Sequence, residues 1–269
     1  MIPLEDDFAD VLGKALRGQR ITEHRAAEKA GLTTEQVSAL LDGRFEESPA
    51  RALSAALRLS PDALVALARD GHRPAVACPA PMAVATTRFG GMTVNAYLLW
   101  DPVSRQGAIF DTGAEAAPLL ATVKARGLDI AGIFLTHSHA DHVHALAELK
   151  DGLGVEAWSS ECEPVRGTRT FRPGDLFNAG RHFIRTRLTP GHSPGGTSFV
   201  IEGSVLRAAI VGDALFAGSI GGVRNGYDAT LEVIRREILA LPDDTILCPG
   251  HGPLTTVGLE KRGNPFFAA

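Results

Sequence analysis

The sequence predicts an α+β chain: a small all-α unit over residues 1–72, then a larger unit of mixed strands and helices over residues 82–269. Three observations predict it. Five helix signals fall within about sixty residues, with no strand signal among them. A proline-rich stretch follows at 73–81. Beyond it, short apolar runs alternate with helical segments, the pattern of a layered sheet-and-helix core.

Each element has its own signal. Phe8, Val11, Leu12, Ala15 and Leu16 recur at helical spacing. A second helix over 21–30 ends at Gly31, a residue suited to the left-handed C-terminal position. Thr33 caps a third helix, and Gln36 three residues later completes a capping box. Val37, Leu40 and Leu41 form that helix's apolar face. Ser48 and Ser60 each precede a proline, which places a capping serine before Pro49 or Pro61 at a first helical position. Pro74, Pro79 and Pro81 mark an extended linker. The runs 96–100, 108–110 and 130–135 read as buried strands, and 114–126 reads as a helix. Leu231, Ile234, Ile238 and Leu239 share one face of a later helix, suited to packing on a sheet.

The chain has 269 residues, 45% of them apolar, enough for one large domain or two unequal ones. Its longest apolar run, 208–222, is interrupted by Asp213, so no membrane-spanning helix is expected. The acidic N-terminal stretch does not read as a secretory signal. Cys78, Cys162 and Cys248 are far apart and odd in number. They fit neither a disulfide framework nor a CxxC metal site, and free thiols suit a cytoplasmic location. Cys248, three residues before His251, reads as a small buried strand residue. A net charge of −4 gives no general attraction to nucleic acid or anionic membrane.

The chemistry is concentrated in the second unit. The strand 130–135 runs into His137-x-His139-x-Asp141-His142, four metal-binding groups within six residues. A loop fed by a buried strand is rigid enough to converge ligands. His137 and His139 can serve one ion, and Asp141 and His142 another. Further candidates follow three other apolar strands: His192, Asp213 and His251, each beside a glycine or proline. Imidazole and carboxylate together suit zinc, iron or manganese.

These segments carry a resemblance. Residues 82–269 resemble the metallo-β-lactamase superfamily, and within it the short bacterial type II glyoxalases, or hydroxyacylglutathione hydrolases. The matching segments are Asn95 to Tyr97, Asp111 to Gly113, Thr136 to His142, Thr189 to Gly195, Gly212 to Phe216, Gly218 to Gly221, and the tail Pro249 to Gly258 with Glu260, Asn264, Pro265 and Phe266. The resemblance implies an αββα sandwich with the site at one sheet edge. It implies two divalent ions, zinc first, with iron or manganese as alternatives. His137, His139 and His192 would hold one ion, and Asp141, His142 and His251 the other. Asp213 would bridge them. Asp141 and Asp213 become the catalytic carboxylates, and the reaction becomes thioester hydrolysis by a metal-bridging hydroxide. Lys261 and Arg262 become candidates for binding the carboxylates of a glutathione thioester.

Two departures from the family pattern bear on substrate. The family usually places Arg, then Ser or Thr, then Asp after the Gly-Ser-Ile-Gly segment. Here the loop reads Gly222-Val-Arg-Asn-Gly-Tyr227, which makes Arg224 and Tyr227 further substrate-contact candidates. His144 stands where a small residue is usual and reads as a surface helix residue.

Residues 8–69 resemble the lambda-repressor-like helix-turn-helix family, through Ala26, Ala27, Gly31, the run 33–38, and Asp42, Gly43 and Arg44. The resemblance implies a recognition helix at 33–41. Charge argues against DNA as the favoured partner. Residues 1–72 hold nine Lys and Arg against twelve Asp and Glu, and the recognition segment holds no cation. Dimerisation through these helices, or cover for the substrate site, are the alternatives. The rival functions are a mononuclear-iron persulfide dioxygenase using His137, His192 and Asp213, a lactonase, and a ligand-sensing DNA-binding regulator.

Overall fold

The computed structural model describes residues 2–202 and 206–268. Five helices come first: α1 Phe8–Gln19, α2 Glu23–Ala30, α3 Thr34–Leu41, α4 Glu47–Ala56 and α5 Pro61–Ala68. The α3 capping box forms as expected, with the Thr33 hydroxyl accepting from Gln36 N–H and the Gln36 side chain accepting from Thr33 N–H. One cap differs. The fourth helix starts at Glu47 with Glu46 at its N-cap, so Ser48 and Pro49 lie inside the first turn. A proline is tolerated there because the first turn's N–H groups have no helical partner.

Strands then alternate with helices. β1 Met82–Phe89, β2 Met92–Trp100 and β3 Gln106–Phe110 precede α6 Ala117–Arg126 and β4 Asp129–Phe134. The short α7 Ala140–Val143 and α8 Leu146–Leu153 lead to β5 Ala157–Ser160, β6 Arg169–Phe171, β7 Leu176–Ala179 and β8 His182–Leu188. β9 Thr197–Glu202, β10 Ala208–Gly212, α9 Tyr227–Ile234, β11 Ile246–Pro249, β12 Thr255–Thr256 and α10 Val257–Gly263 complete the order. A π-helical turn, Arg235–Leu239, extends α9 and buries Ile238 and Leu239 together with Leu231 and Ile234, the face anticipated from their spacing. No helix among the described residues is long and apolar enough to cross a membrane.

The strands form two six-stranded mixed sheets, β1 to β6 in order, and β12-β11-β10-β9-β8-β7. Phe110, Phe134, Phe171 and Phe199 fill the space between them. α6 and α8 cover the outer face of the first sheet through Leu119, Val123 and Leu149. α9 and α10 cover the second. β8 and β10 run the same way because each is antiparallel to β9, and β10 is parallel to β11. Their C-terminal ends therefore open at one edge of the sandwich.

The N-terminal helices join this layering. Leu12, Leu16, Leu53, Leu57 and Leu64 belong to the same buried cluster as Val211 of β10, Leu231 and Ile238. Each such leucine withdrawn from water contributes about 1.5–3 kcal/mol. The contact is close: a Cβ on Gly18 would lie 2.3 Å from the Tyr227 ring. Arg58 pairs with Asp228 at 2.7 Å, Arg20 donates to Asn225, and Ser60 N–H donates to the Pro265 carbonyl at 2.8 Å. The proline-rich stretch is packed as well, with Val76 and Cys78 against the inter-sheet core.

Candidate metal centre

Seven side chains meet at the common edge. His137, His139, Asp141 and His142 follow β4; His192 follows β8; Asp213 follows β10; His251 follows β11. Three overlapping groups have all their ligand atoms within 4.8 Å of one another: His137 with His139 and His192, His137 with His142 and Asp213, and Asp141 with His142 and His251.

The first set presents His137 Nε2, His139 Nδ1 and His192 Nε2, with His139 Nδ1 3.0 and 2.9 Å from the other two. Asp213 Oδ2 lies 3.4 Å from His192 Nε2 and 4.0 Å from His137 Nε2. In the second set, Asp141 Oδ2 lies 3.4 Å from His142 Nε2 and 3.2 Å from His251 Nε2. Asp213 reaches this set too, with Oδ1 3.3 Å from His142 Nε2 and Oδ2 3.4 Å from His251 Nε2.

These separations test whether the residues fit metal ions. Ligands at roughly 2.0–2.1 Å around a tetrahedral ion stand about 3.3 Å apart. Most of the observed separations fall near that value. His142 Nε2 and Asp213 Oδ1 are buried with no hydrogen-bond partner, a costly state unless a cation satisfies them. Gly250 is part of the same design, since a Cβ there would lie 2.1 Å from Asp213 Oδ1 and 2.5 Å from His142 Cε1. The donor set fits two ions.

In four of the five histidines, His137, His142, His192 and His251, the remaining ring nitrogen is fixed from behind, which leaves the opposite nitrogen free to ligate. His142 Nδ1 donates to Asp111 Oδ2 at 2.8 Å, His251 Nδ1 to the Thr93 carbonyl at 2.6 Å, and His192 Nδ1 to the Gly222 carbonyl at 3.2 Å. His137 Nδ1 lies 3.0 Å from Thr136 Oγ1, whose hydroxyl donates to Asp111 at 2.8 Å. Asn95 Nδ2 donates to the Pro249 and Gly252 carbonyls, and the Tyr97 hydroxyl to that of Pro249, which anchors the loop carrying His251.

The metal-free electrostatics follow from these contacts. Burial opposes a charge on His142, but Asp213 and Asp111 outweigh it and hold its pKa well above the ordinary range. Burial likewise opposes the charged form of His251, and hydrogen bonds to Asp141 and Asp213 push it up to about 10. His137 goes the other way, because burial and the neighbouring His142 disfavour its charge. Burial works to raise the Asp213 pKa, but the surrounding histidines hold it well below the carboxylate range.

Access is one-sided. His139 is exposed and His192 half-buried, whereas Asp141, His142 and His251 are buried. The mouth lies on the side of the first set.

Glu163 had no signal in the sequence. Its carboxylate accepts from Ser138 N–H at 3.0 Å, from Gly195 N–H at 2.7 Å, and from the Ser138 and Ser193 hydroxyls. It ties together the two loops that carry His137, His139 and His192. An isolated acidic residue in a turn offers no local pattern, so only the folded contact shows this.

The substrate-contact candidates differ in their surroundings. Tyr227 is buried against Gly18 and Phe266, which corrects the expectation that it faces substrate: its ring is needed to seat α1. Lys261 pairs with Asp243 at 2.7 Å. Arg224 is exposed, and neither it nor Arg262 has an ion pair with a described residue. His144 is exposed and stands edge-on to Phe89. Cys248 is fully buried, and all three cysteines are free thiols.

Comparison with known proteins agrees with this geometry. A profile of the Metallo-beta-lactamase superfamily matches residues 89–170 and 164–251. The chain belongs to the metallo-beta-lactamase superfamily. Hydroxyacylglutathione hydrolase GloC of Haemophilus influenzae is 36% identical over 199 residues, covering 64% of this chain and 92% of that protein. The crystal structure of BLEG-1 B3 metallo-beta-lactamase superposes with a TM-score of 0.60 at 28% identity, over 70% of this chain and 100% of that one. ETHE1 from Myxococcus xanthus also gives a TM-score of 0.60, at 26% identity, over 68% of this chain and 83% of that one. The superfamily profile begins at residue 89, so α1–α5 are an addition to the shared fold.

Proposed function

We propose that this superfamily member hydrolyses thioesters of the S-acylglutathione class, using two divalent ions, with zinc as the first choice and iron or manganese as alternatives. The observation that carries the reading is Asp213, whose two oxygens reach both ligand sets. Several relatives named hydroxyacylglutathione hydrolase, at 33–36% identity, support the choice of substrate class.

Two ions held here would supply a water acidified toward neutrality and a Lewis acid for the substrate carbonyl. The protein's own groups do the rest. Asp213 fixes the spacing of the two sets. Asp141 is the more exposed carboxylate, 12% against 6% for Asp213, and is placed to orient the attacking water and accept its proton. The open side at His139 and His192 admits the carbonyl. A departing thiolate is weakly basic and leaves without a dedicated proton donor. Arg224, exposed two residues beyond Gly222, and Arg262, whose charge also acts on Asp243 beside Lys261, are the cations proposed for a substrate carboxylate.

A second reading, iron-dependent oxidation of a persulfide, draws on one face of the same site. His137, His192 and Asp213 form a two-histidine, one-carboxylate set, and the ETHE1 structure superposes as well as the lactamase does. The deciding experiment is metal analysis of the purified protein alongside an S-acylglutathione, lactone and glutathione-persulfide panel. Two ions per chain with fastest turnover of the thioester is expected. Oxygen consumption with the persulfide at one iron per chain would overturn the hydrolase reading.

A further inference from the structure

The added helices reach the metal centre through Lys14. This α1 side chain is only 12% exposed, and its ammonium pairs with Asp6 and donates to the Ile220 carbonyl at 2.7 Å. It also lies 4.8 Å from the centroid of the Phe216 ring.

Ile220 and Phe216 belong to one loop that lies against both ligand sets. Two residues beyond Ile220, the Gly222 carbonyl accepts from His192 Nδ1 at 3.2 Å. Between them, Gly221 sits so close that a Cβ there would be 1.9 Å from the Asp213 carbonyl oxygen and 3.0 Å from His192 Cβ. At the other end, the Phe216 ring stands edge-on to His251, with centroids 5.7 Å apart. The loop is held from the opposite side by Glu260, which accepts from Gly218 N–H at 2.9 Å, and by Asn264, which donates to the Ser219 carbonyl at 2.9 Å.

A near-buried ammonium is a costly way to fill space, since an apolar side chain of similar volume avoids the desolvation penalty. What the ammonium adds is direction. It fixes one carbonyl and seats one ring, each next to a different metal ligand.

We propose that Lys14 is a positioning residue for the metal centre, setting the orientation of His192 and His251 through the 216–222 loop. The helical unit is then a working part of the site. The proposal rests on the reading of the seven-residue set as a metal centre.

The test compares full-length Lys14→Met, Lys14→Arg and Arg51→Met proteins. Arg51 pairs with Glu47 and Asp62 within the helical unit, so its loss weakens that unit without touching the loop. Zinc affinity is measured by competition with a chromophoric chelator, and ligand geometry by the visible spectrum of the cobalt(II)-loaded protein. Lys14→Met is expected to bind zinc about tenfold more weakly and to alter the cobalt spectrum, the scale seen when support behind a metal ligand is removed. Lys14→Arg should recover part of both. Arg51→Met should lower the melting temperature and leave both readouts unchanged. Unchanged affinity and spectrum in Lys14→Met, or an equal effect from Arg51→Met, would overturn the proposal. If Lys14→Met does not fold, Lys14→Gln keeps a polar side chain but removes the ammonium that meets the Ile220 carbonyl and the Phe216 ring, and an unchanged cobalt spectrum there overturns it equally. A wild-type protein that takes up neither ion would sink the metal-centre reading, and this proposal with it.

Discussion

Asp111 and His142 form a buried pair in which Nδ1 of the histidine donates to Oδ2 of the aspartate at 2.8 Å. The same carboxylate accepts from the Thr136 N–H at 2.7 Å and from the Thr136 hydroxyl at 2.8 Å, so it braces the start of the ligand loop as well as one ligand. Replacing Asp111 with Asn keeps the shape but weakens the acceptor. Zinc affinity is expected to fall about 10- to 100-fold with the fold retained. Chelator competition, with circular dichroism as the folding control, measures it.

Under the two-ion reading, Asp213 is the ligand shared by both sets. Asp213→Ala should lose metal and hydrolysis together, since both ion positions draw on its oxygens. Metal content per chain is the direct check. A fully metallated, fully active variant would contradict the two-ion assignment.

Glu163 acts on one side of the centre. Glu163→Ala frees Ser138 and Ser193 and should loosen the loops bearing His137, His139 and His192. The first set is expected to lose affinity by about tenfold, with the second affected less. Stepwise metal titration would resolve two binding events, and equal weakening of both would argue against this role.

The pH dependence follows from His251. Its pKa in the folded, metal-free protein is raised from the ordinary 6.5 to about 10. A group with a raised folded pKa contributes stability that is fully present below the unfolded value and is lost as pH rises through the folded one. The metal-free protein should therefore melt at progressively lower temperature between pH 6.5 and about 10. A bound ion would replace the proton, so the metal-loaded protein should show a flatter profile, and metal uptake near neutrality should release protons. Melting curves across pH, and calorimetry in buffers of different ionisation enthalpy, measure the two effects.

The seating of the helices can be tested at Gly18. Gly18→Val would drive a side chain into Tyr227, whose ring lies 2.3 Å from where a Cβ would be. Overpacking of this kind costs about 1–3 kcal/mol. A lowered melting temperature is expected, and recovery in Gly18→Val with Tyr227→Ala would tie the effect to that contact.

The sequence by itself brought out the candidate ligand set and the strand ends that deliver it. Each ligand follows a short apolar run, and a metal-binding side chain next to glycine or proline after such a run is a local pattern. The five helices, and six of the twelve described strands, β2, β3, β4, β8, β10 and β11, were legible for the same reason: capping and periodicity act over a few residues. Tertiary structure decided the rest. Asp111, Glu163 and Lys14 act on groups 31, 25 and 206 residues away, a distance at which no spacing rule operates. It also joined two features that looked separate in the sequence. The unusual loop at 222–227 and the helices before Pro74 are one interface, in which Val223 is buried in the shared core, Asn225 accepts from Arg20 and Tyr227 packs on Gly18. The departure from the family pattern is the seat of the added helices, because a short loop with a buried Val and Tyr presents the apolar surface that α1 needs.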